Sequence, residues 1–130
     1  MVHQSWILFV NAGRRFNYII GPPVSEFFLE SSKLEPTESF LEIDGVDICF
    51  FEWGERGAPQ LLLVHATGFH SRCWDQIVKK LPDGLNVFCV DMRGHGRSEK
   101  TGPYSWDRFG VDLLRFCEAV NLCNAVGVGH

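Results

Sequence analysis

Three short apolar runs, Leu61–Val64, Val87–Val90 and Ala125–Val128, constrain the fold of this chain more than any other feature. A strand with one wet face alternates apolar and polar residues. A run that is apolar on both sides belongs to a strand covered on both faces, as in a parallel sheet flanked by helices. The stretches between the runs agree. Trp74, Ile77, Val78 and Leu81 fall at helical spacing, and Pro82-Asp83-Gly84 ends that helix with a turn. Ser105 is a suitable cap for a second helix, with Trp106, Phe109, Leu113, Phe116 and Val120 on one face. Each stripe reads as core. Strand, helix, strand, helix, strand predicts an α/β fold built on a mainly parallel sheet.

Upstream, Phe40–Ile43 and Val46–Phe50 alternate apolar with polar around Asp44-Gly45, the pattern of a tight antiparallel hairpin. Ser31 to Ser39 is polar, contains Pro36 and reads as a linker. Residues 1–38 are therefore expected to be a poorly ordered N-terminal extension, and 39–130 the folded domain. Residues 1–25 hold Arg14 and Arg15 and no acid, with the apolar stretch Trp6–Val10. A secretory signal would carry its positive charge before a longer apolar region, so an extension, an organellar leader or a start placed too early fits better. No apolar run approaches the ~20 residues that span a bilayer.

The net charge of −4 comes with no basic cluster, which argues against nucleic acid as a partner. The five cysteines are odd in number and contain no Cys-x-x-Cys pair. Reduced thiols in a cytoplasmic protein are expected, with no metal and no disulfide framework.

Ligands of open α/β sheets bind beyond the carboxyl ends of the strands. Three such ends exist here. His65-Ala66-Thr67-Gly68-Phe69-His70 comes after the first run, and its small residues allow backbone N–H groups to face a cleft, as a site for a developing oxyanion needs. Taken alone, an ordinary strand-to-helix turn explains it equally. Asp91-Met92-Arg93-Gly94-His95-Gly96-Arg97-Ser98 comes after the second run; its glycines permit special backbone angles, and Arg93 is placed to pair with Asp91 or with carbonyls at the strand end. The overlapping Gly94 to Thr101 approaches a phosphate-binding loop, but Glu99 occupies the place of its second glycine and Gly102-Pro103 interrupts the helix that should come next. Gly129-His130 ends the third run.

Together these three segments resemble the α/β-hydrolase family, over about Phe40 to His130. His65 to Trp74 is similar to the family's His-Gly loop, with Ala66 in place of the usual glycine. Asp91 to Ser98 matches its Asp-x-Arg-Gly-x-Gly-x-Ser loop at every fixed place, and Gly129-His130 matches the opening of the nucleophile elbow Gly-x-Ser-x-Gly. The resemblance implies the N-terminal part of that fold: an antiparallel hairpin, then strand–helix–strand–helix–strand. It implies that Thr67 supplies an oxyanion-hole N–H from its backbone. It also implies that Asp91, Arg93, Gly94, His95, Gly96 and Ser98 form a structural loop, as do His65, Ala66 and Gly68 around Thr67.

In the family the nucleophile, acid and histidine succeed one another in that order. None of the five histidines here is then the catalytic base, and this chain is expected to be inactive. No cofactor is implied. The parent is expected to be a serine hydrolase of small esters or amides. An aspartate-nucleophile epoxide hydrolase or haloalkane dehalogenase, and a non-enzymatic binding protein of the same fold, are the alternatives. The residue after His130 separates them, and the absence of proline from the His65–His70 loop favours serine. The family pairs Ala125–Val128 with a later strand, so this edge is expected to stand bare.

Overall fold

A computed structural model describes residues 35–130 and the backbone of a strand at 6–10. Six strands make one sheet: β1 Trp6–Val10, β2 Thr37–Ile43, β3 Val46–Trp53, β4 Gln60–Val64, β5 Asn86–Val90 and β6 Ala125–Gly129. Their spatial order is β1-β6-β4-β5-β3-β2. β4 runs parallel to both β5 and β6, while β3 joins β5 antiparallel and β2 joins β3 antiparallel. The three apolar runs are thus the parallel centre of the sheet.

Alternate residues of those runs enter two different cores. Leu62, Phe88 and Val90 pack on one face with Phe50, Phe116 and Leu122, while Leu63, Val87 and Cys89 pack on the other with Phe51, Trp53 and Val78. A strand that must satisfy two cores has no place for polar side chains, which is why the runs are unbroken. The first core lies under α2, Trp106–Ala119, whose Phe116 ring meets Phe50 and Phe88 at 5.2 and 6.4 Å. The predicted cap is in place, since Ser105 Oγ accepts a hydrogen bond from the Arg108 N–H at 3.2 Å.

The hairpin register pairs Ile43 with Val46 across Asp44-Gly45, both at positive φ (50° and 74°). Two left-handed residues make the turn whose twist matches the strands, and Asp-Gly is suited to it.

Three expectations need correction. The first helix is a short stretch in two geometries, a 3₁₀ turn at Ser71–Trp74 running into α1, Asp75–Val78. The tighter 3₁₀ repeat shifts the phase of the next turn, so Val78 is buried but Ile77 is 47% exposed. Trp106 is likewise 78% exposed: it stands in the first turn of α2, where its ring meets Phe109 edge-on at 5.9 Å and both line an open cavity. Finally, the edge of β6 is not bare. β1, within the stretch read as an extension, pairs with it antiparallel over its full length, from Trp6 opposite Gly129 to Val10 opposite Ala125. β2 begins at Thr37, two residues before the expected domain start.

Candidate functional site

The carboxyl ends of β4, β5 and β6 lie side by side, because the parallel register sets Val64 opposite both Val90 and Gly129. The three loops singled out in the sequence therefore meet at one end of the sheet.

After β4 the chain turns at once. The Phe69 N–H donates to Ala66 O at 3.0 Å, closing a turn over Thr67 and Gly68, with Gly68 at φ 87°. A positive φ at the third place of such a turn is what glycine is for. Thr67 sits at the exposed corner, and its N–H has no hydrogen-bond partner among the described residues. It borders an open cavity of about 470 Å³, with His95, Lys100, Tyr104, Trp106 and Phe109 on the other walls.

His65 is buried beneath this turn. Its Nδ1 lies 2.9 Å from Ala66 O, and its Nε2 accepts from the Met92 N–H at 3.0 Å. Its ring stacks, tilted, on His95 at 5.1 Å. Burial holds its pKa below the ordinary 6.5, so the imidazole is neutral.

The loop after β5 is tied down throughout. Asp91, fully buried, accepts the Ser71 N–H at 2.6 Å on one carboxylate oxygen and the Arg97 N–H at 2.8 Å on the other. Ser98 Oγ donates to Asp91 O at 2.5 Å and accepts the Cys49 N–H at 2.8 Å, binding the loop to β3. Gly96 (φ 49°) has no room for a side chain, as a Cβ there would lie 2.0 Å from Asp91 Oδ2. A Cβ on Gly94 would come within 2.5 Å of the Tyr104 ring.

Arg93 does not pair with Asp91. Both nitrogens of its fork reach Asp112 of α2, Nε to Oδ2 at 2.6 Å and Nη2 to Oδ1 at 3.0 Å, while Nη1 donates to Thr101 O at 3.2 Å. Asp91 is already occupied by two backbone donors, whereas Asp112 is a buried charge that needs a partner. Sequence reasoning missed Asp112. The signal was an acid on the apolar face of α2, three residues after Phe109 and four before Phe116.

The near-match to a phosphate loop has no helix behind it, since α2 starts only at Trp106. Glu99 is held ionised below the usual carboxylate range by the Thr101 hydroxyl and the Asp47 N–H, which would repel phosphate. Among the described residues no group of His, Cys, Asp and Glu could hold a metal ion, and no helix is long and apolar enough to cross a membrane. All five cysteines are free. Burial pushes the Cys49 thiol up to about 12 and Cys117 up to about 11, so neither is a ready thiolate.

At the end of β6 the His130 N–H donates to Val64 O at 3.2 Å, and its ring meets Phe69 edge-on at 6.4 Å. The residue pair Gly129-His130 thus lies directly beside the Thr67 turn.

Comparison with known proteins points the same way. The model of the alpha/beta hydrolase family matches residues 61–130. A bifunctional esterase/perhydrolase of Acinetobacter calcoaceticus is 37% identical over 89 residues, which are 67% of this chain and 32% of that protein. Epoxide hydrolase A of Mycobacterium tuberculosis is 34% identical over 99 residues, 73% of this chain and 31% of that one. The crystal structure of a Pseudomonas aeruginosa hydrolase superposes with a TM-score of 0.64 at 32% identity, covering 71% of this chain and 36% of the other. The chain therefore spans about a third of the length of the curated relatives it matches.

Proposed function

The chain belongs to the alpha/beta hydrolase family, and from that premise we propose that it forms the oxyanion side of an esterase-type active site. The observation that carries this reading is the Thr67 N–H at the turn after β4, which has no partner among the described residues, beside the end of β6 where the His130 N–H is bonded to Val64 O. A donor fixed in a loop with no internal acceptor is available to an anion that forms during reaction. In this reading a serine comes after His130. Its hydroxyl oxygen attacks an ester carbonyl as a general base beyond His130 takes the hydroxyl proton. The oxyanion accepts hydrogen bonds from the Thr67 N–H and the N–H after the serine, the carbon–oxygen bond breaks as that proton passes to the departing alcohol, and water then hydrolyses the acyl-enzyme. The substrate is a small ester or related carbonyl compound, whose apolar part the walls formed by Tyr104, Trp106 and Phe109 would suit. No cofactor, nucleic acid or membrane enters the reaction, and the free thiols fit a cytoplasmic setting.

A second reading has a specific footing, the 34% identity to an epoxide hydrolase. There an aspartate would come after His130 and form an alkyl-enzyme ester. Reading the codons beyond His130 tests both. Serine, then glycine two places on, is the expected result; aspartate transfers the parent to the second reading, and a residue unable to attack carbon overturns the enzyme reading. Residues 1–130 alone are expected to leave p-nitrophenyl acetate unhydrolysed, since Thr67 supplies one donor and no nucleophile.

A further inference from the structure

The Thr67 N–H does not set its own direction. It shares a planar peptide unit with the carbonyl of Ala66, so fixing Ala66 O fixes the line along which the N–H points. Two atoms hold that oxygen: the Phe69 N–H at 3.0 Å, which closes the turn, and Nδ1 of His65 at 2.9 Å. The second contact is a hydrogen bond only if Nδ1 carries a proton. The other side of the ring decides that it does. Nε2 lies 3.0 Å from the Met92 N–H, which can only donate, so Nε2 must be the bare acceptor and Nδ1 the protonated nitrogen. One neutral imidazole therefore spans two loops, anchored on the Asp91–Ser98 loop at Met92 and holding the Thr67 peptide at Ala66.

We propose that His65 is a positioning residue: its neutral ring, protonated at Nδ1, holds the Ala66–Thr67 peptide plane and so aims the Thr67 N–H at the oxyanion. A cationic ring would place a second donor against the Met92 N–H and lose the anchor. The groups that face the ring divide on this point. His95, stacked at 5.1 Å, and His70 oppose a positive charge on it; the Asp91 carboxylate favours one but is already engaged by the Ser71 and Arg97 N–H groups. The proposal rests on the reading of Thr67 as an oxyanion donor, but the state of the ring is measurable apart from turnover.

The test uses the full-length ¹⁵N-labelled protein. Long-range ¹H–¹⁵N spectra at pH 7 should show His65 with a protonated Nδ1 and a bare Nε2; a protonated Nε2, or a cation, overturns the proposal. His65→Leu removes the donor to Ala66 O, while His65→Asn sets an amide where Nδ1–H stood. Towards p-nitrophenyl acetate, His65→Leu should lower kcat by at least about tenfold, part of the ~10²–10³ that loss of an oxyanion donor costs. KM should move by less than about twofold, and His65→Asn should return kcat to within about threefold. Equal losses in the two variants contradict the proposal. Should His65→Leu fail to fold, the tautomer in the unaltered protein still decides. If the parent turns over no ester, the functional reading falls. The positioning then stands on the Thr67 amide cross-peak, which should move in His65→Leu and return in His65→Asn; an unmoved peak overturns it.

Discussion

The loop after β5 and the loop after β4 lie next to each other and are built in opposite ways. In the Asp91–Ser98 loop the polar groups are consumed internally: Asp91 takes two backbone donors, Ser98 both gives and accepts, and Arg93 reaches across to Asp112. In the Thr67 turn one N–H has no partner among the described residues, and Thr67 borders the open cavity. One loop is cross-linked by its own polar groups, and in the other the proposed oxyanion donor is the group the turn leaves over. A change in the first should therefore act on stability, and a change at Thr67 on chemistry.

The largest expected loss of stability comes from Arg93→Ala, which strips a buried carboxylate of its forked partner. Breaking such a pair costs ~3–5 kcal/mol. The value here should fall near the lower end, because Arg108 Nη2 also reaches Asp112 Oδ1 at 2.8 Å. Urea unfolding checks it, and the double variant Arg93→Ala, Asp112→Ala should recover part of the loss. A melting point unmoved by Arg93→Ala, with turnover lost, would make Arg93 a site residue and break the comparison.

Gly96→Ala should come next, at about 1–3 kcal/mol, since its methyl would press on the Asp91 carboxylate in a left-handed backbone. Thermal denaturation with the same loss of stability in Gly96→Ala and Gly45→Ala would contradict the local explanation, because a Cβ on Gly45 meets nothing within 4 Å.

Acid supplies a third probe. His65 in the folded protein holds its proton less well than the ordinary 6.5. Between that lowered value and 6.5 the unfolded chain binds more protons, so stability rises with pH across this window. The contribution is complete above about 6.5 and is lost as the pH falls below it. His65→Asn should flatten that part of the pH–stability curve, and an unchanged slope would remove His65 from the account.

Much of this architecture was legible because burial leaves a direct mark on composition. β4, β5 and β6 face two cores and had to be apolar at consecutive positions. Asp44-Gly45 specifies its own turn chemistry, and Ser105 its cap. What lay beyond reach depended on distant partners. Asp112 is 19 residues from Arg93, and no periodicity connects them. The pairing of β1 with β6 joins segments at opposite ends of the sequence, so the apolar stretch Trp6–Val10 carried no sign of its destination. Ile77 was misplaced because the 3₁₀ start of its helix alters the repeat on which the stripe was counted. The Thr67 loop was recognisable by its motif, yet the part of His65 in holding it was not, since that rests on Met92 being a donor 27 residues away.

The smallest expected effect on stability belongs to the most direct test, Thr67→Pro set against Thr67→Ala in the full-length protein. Thr67 is the second residue of a turn that has glycine third, a place proline tolerates, and the N–H it would remove has no partner among the described residues. Both variants should have stabilities within about 0.5 kcal/mol of the unaltered protein. Thr67→Ala keeps the N–H and should hydrolyse p-nitrophenyl acetate at nearly the original rate, whereas Thr67→Pro should lose ~10²–10³ in kcat. Equal activity in the two variants, with both folded, would show that the free N–H of this turn plays no part in the chemistry.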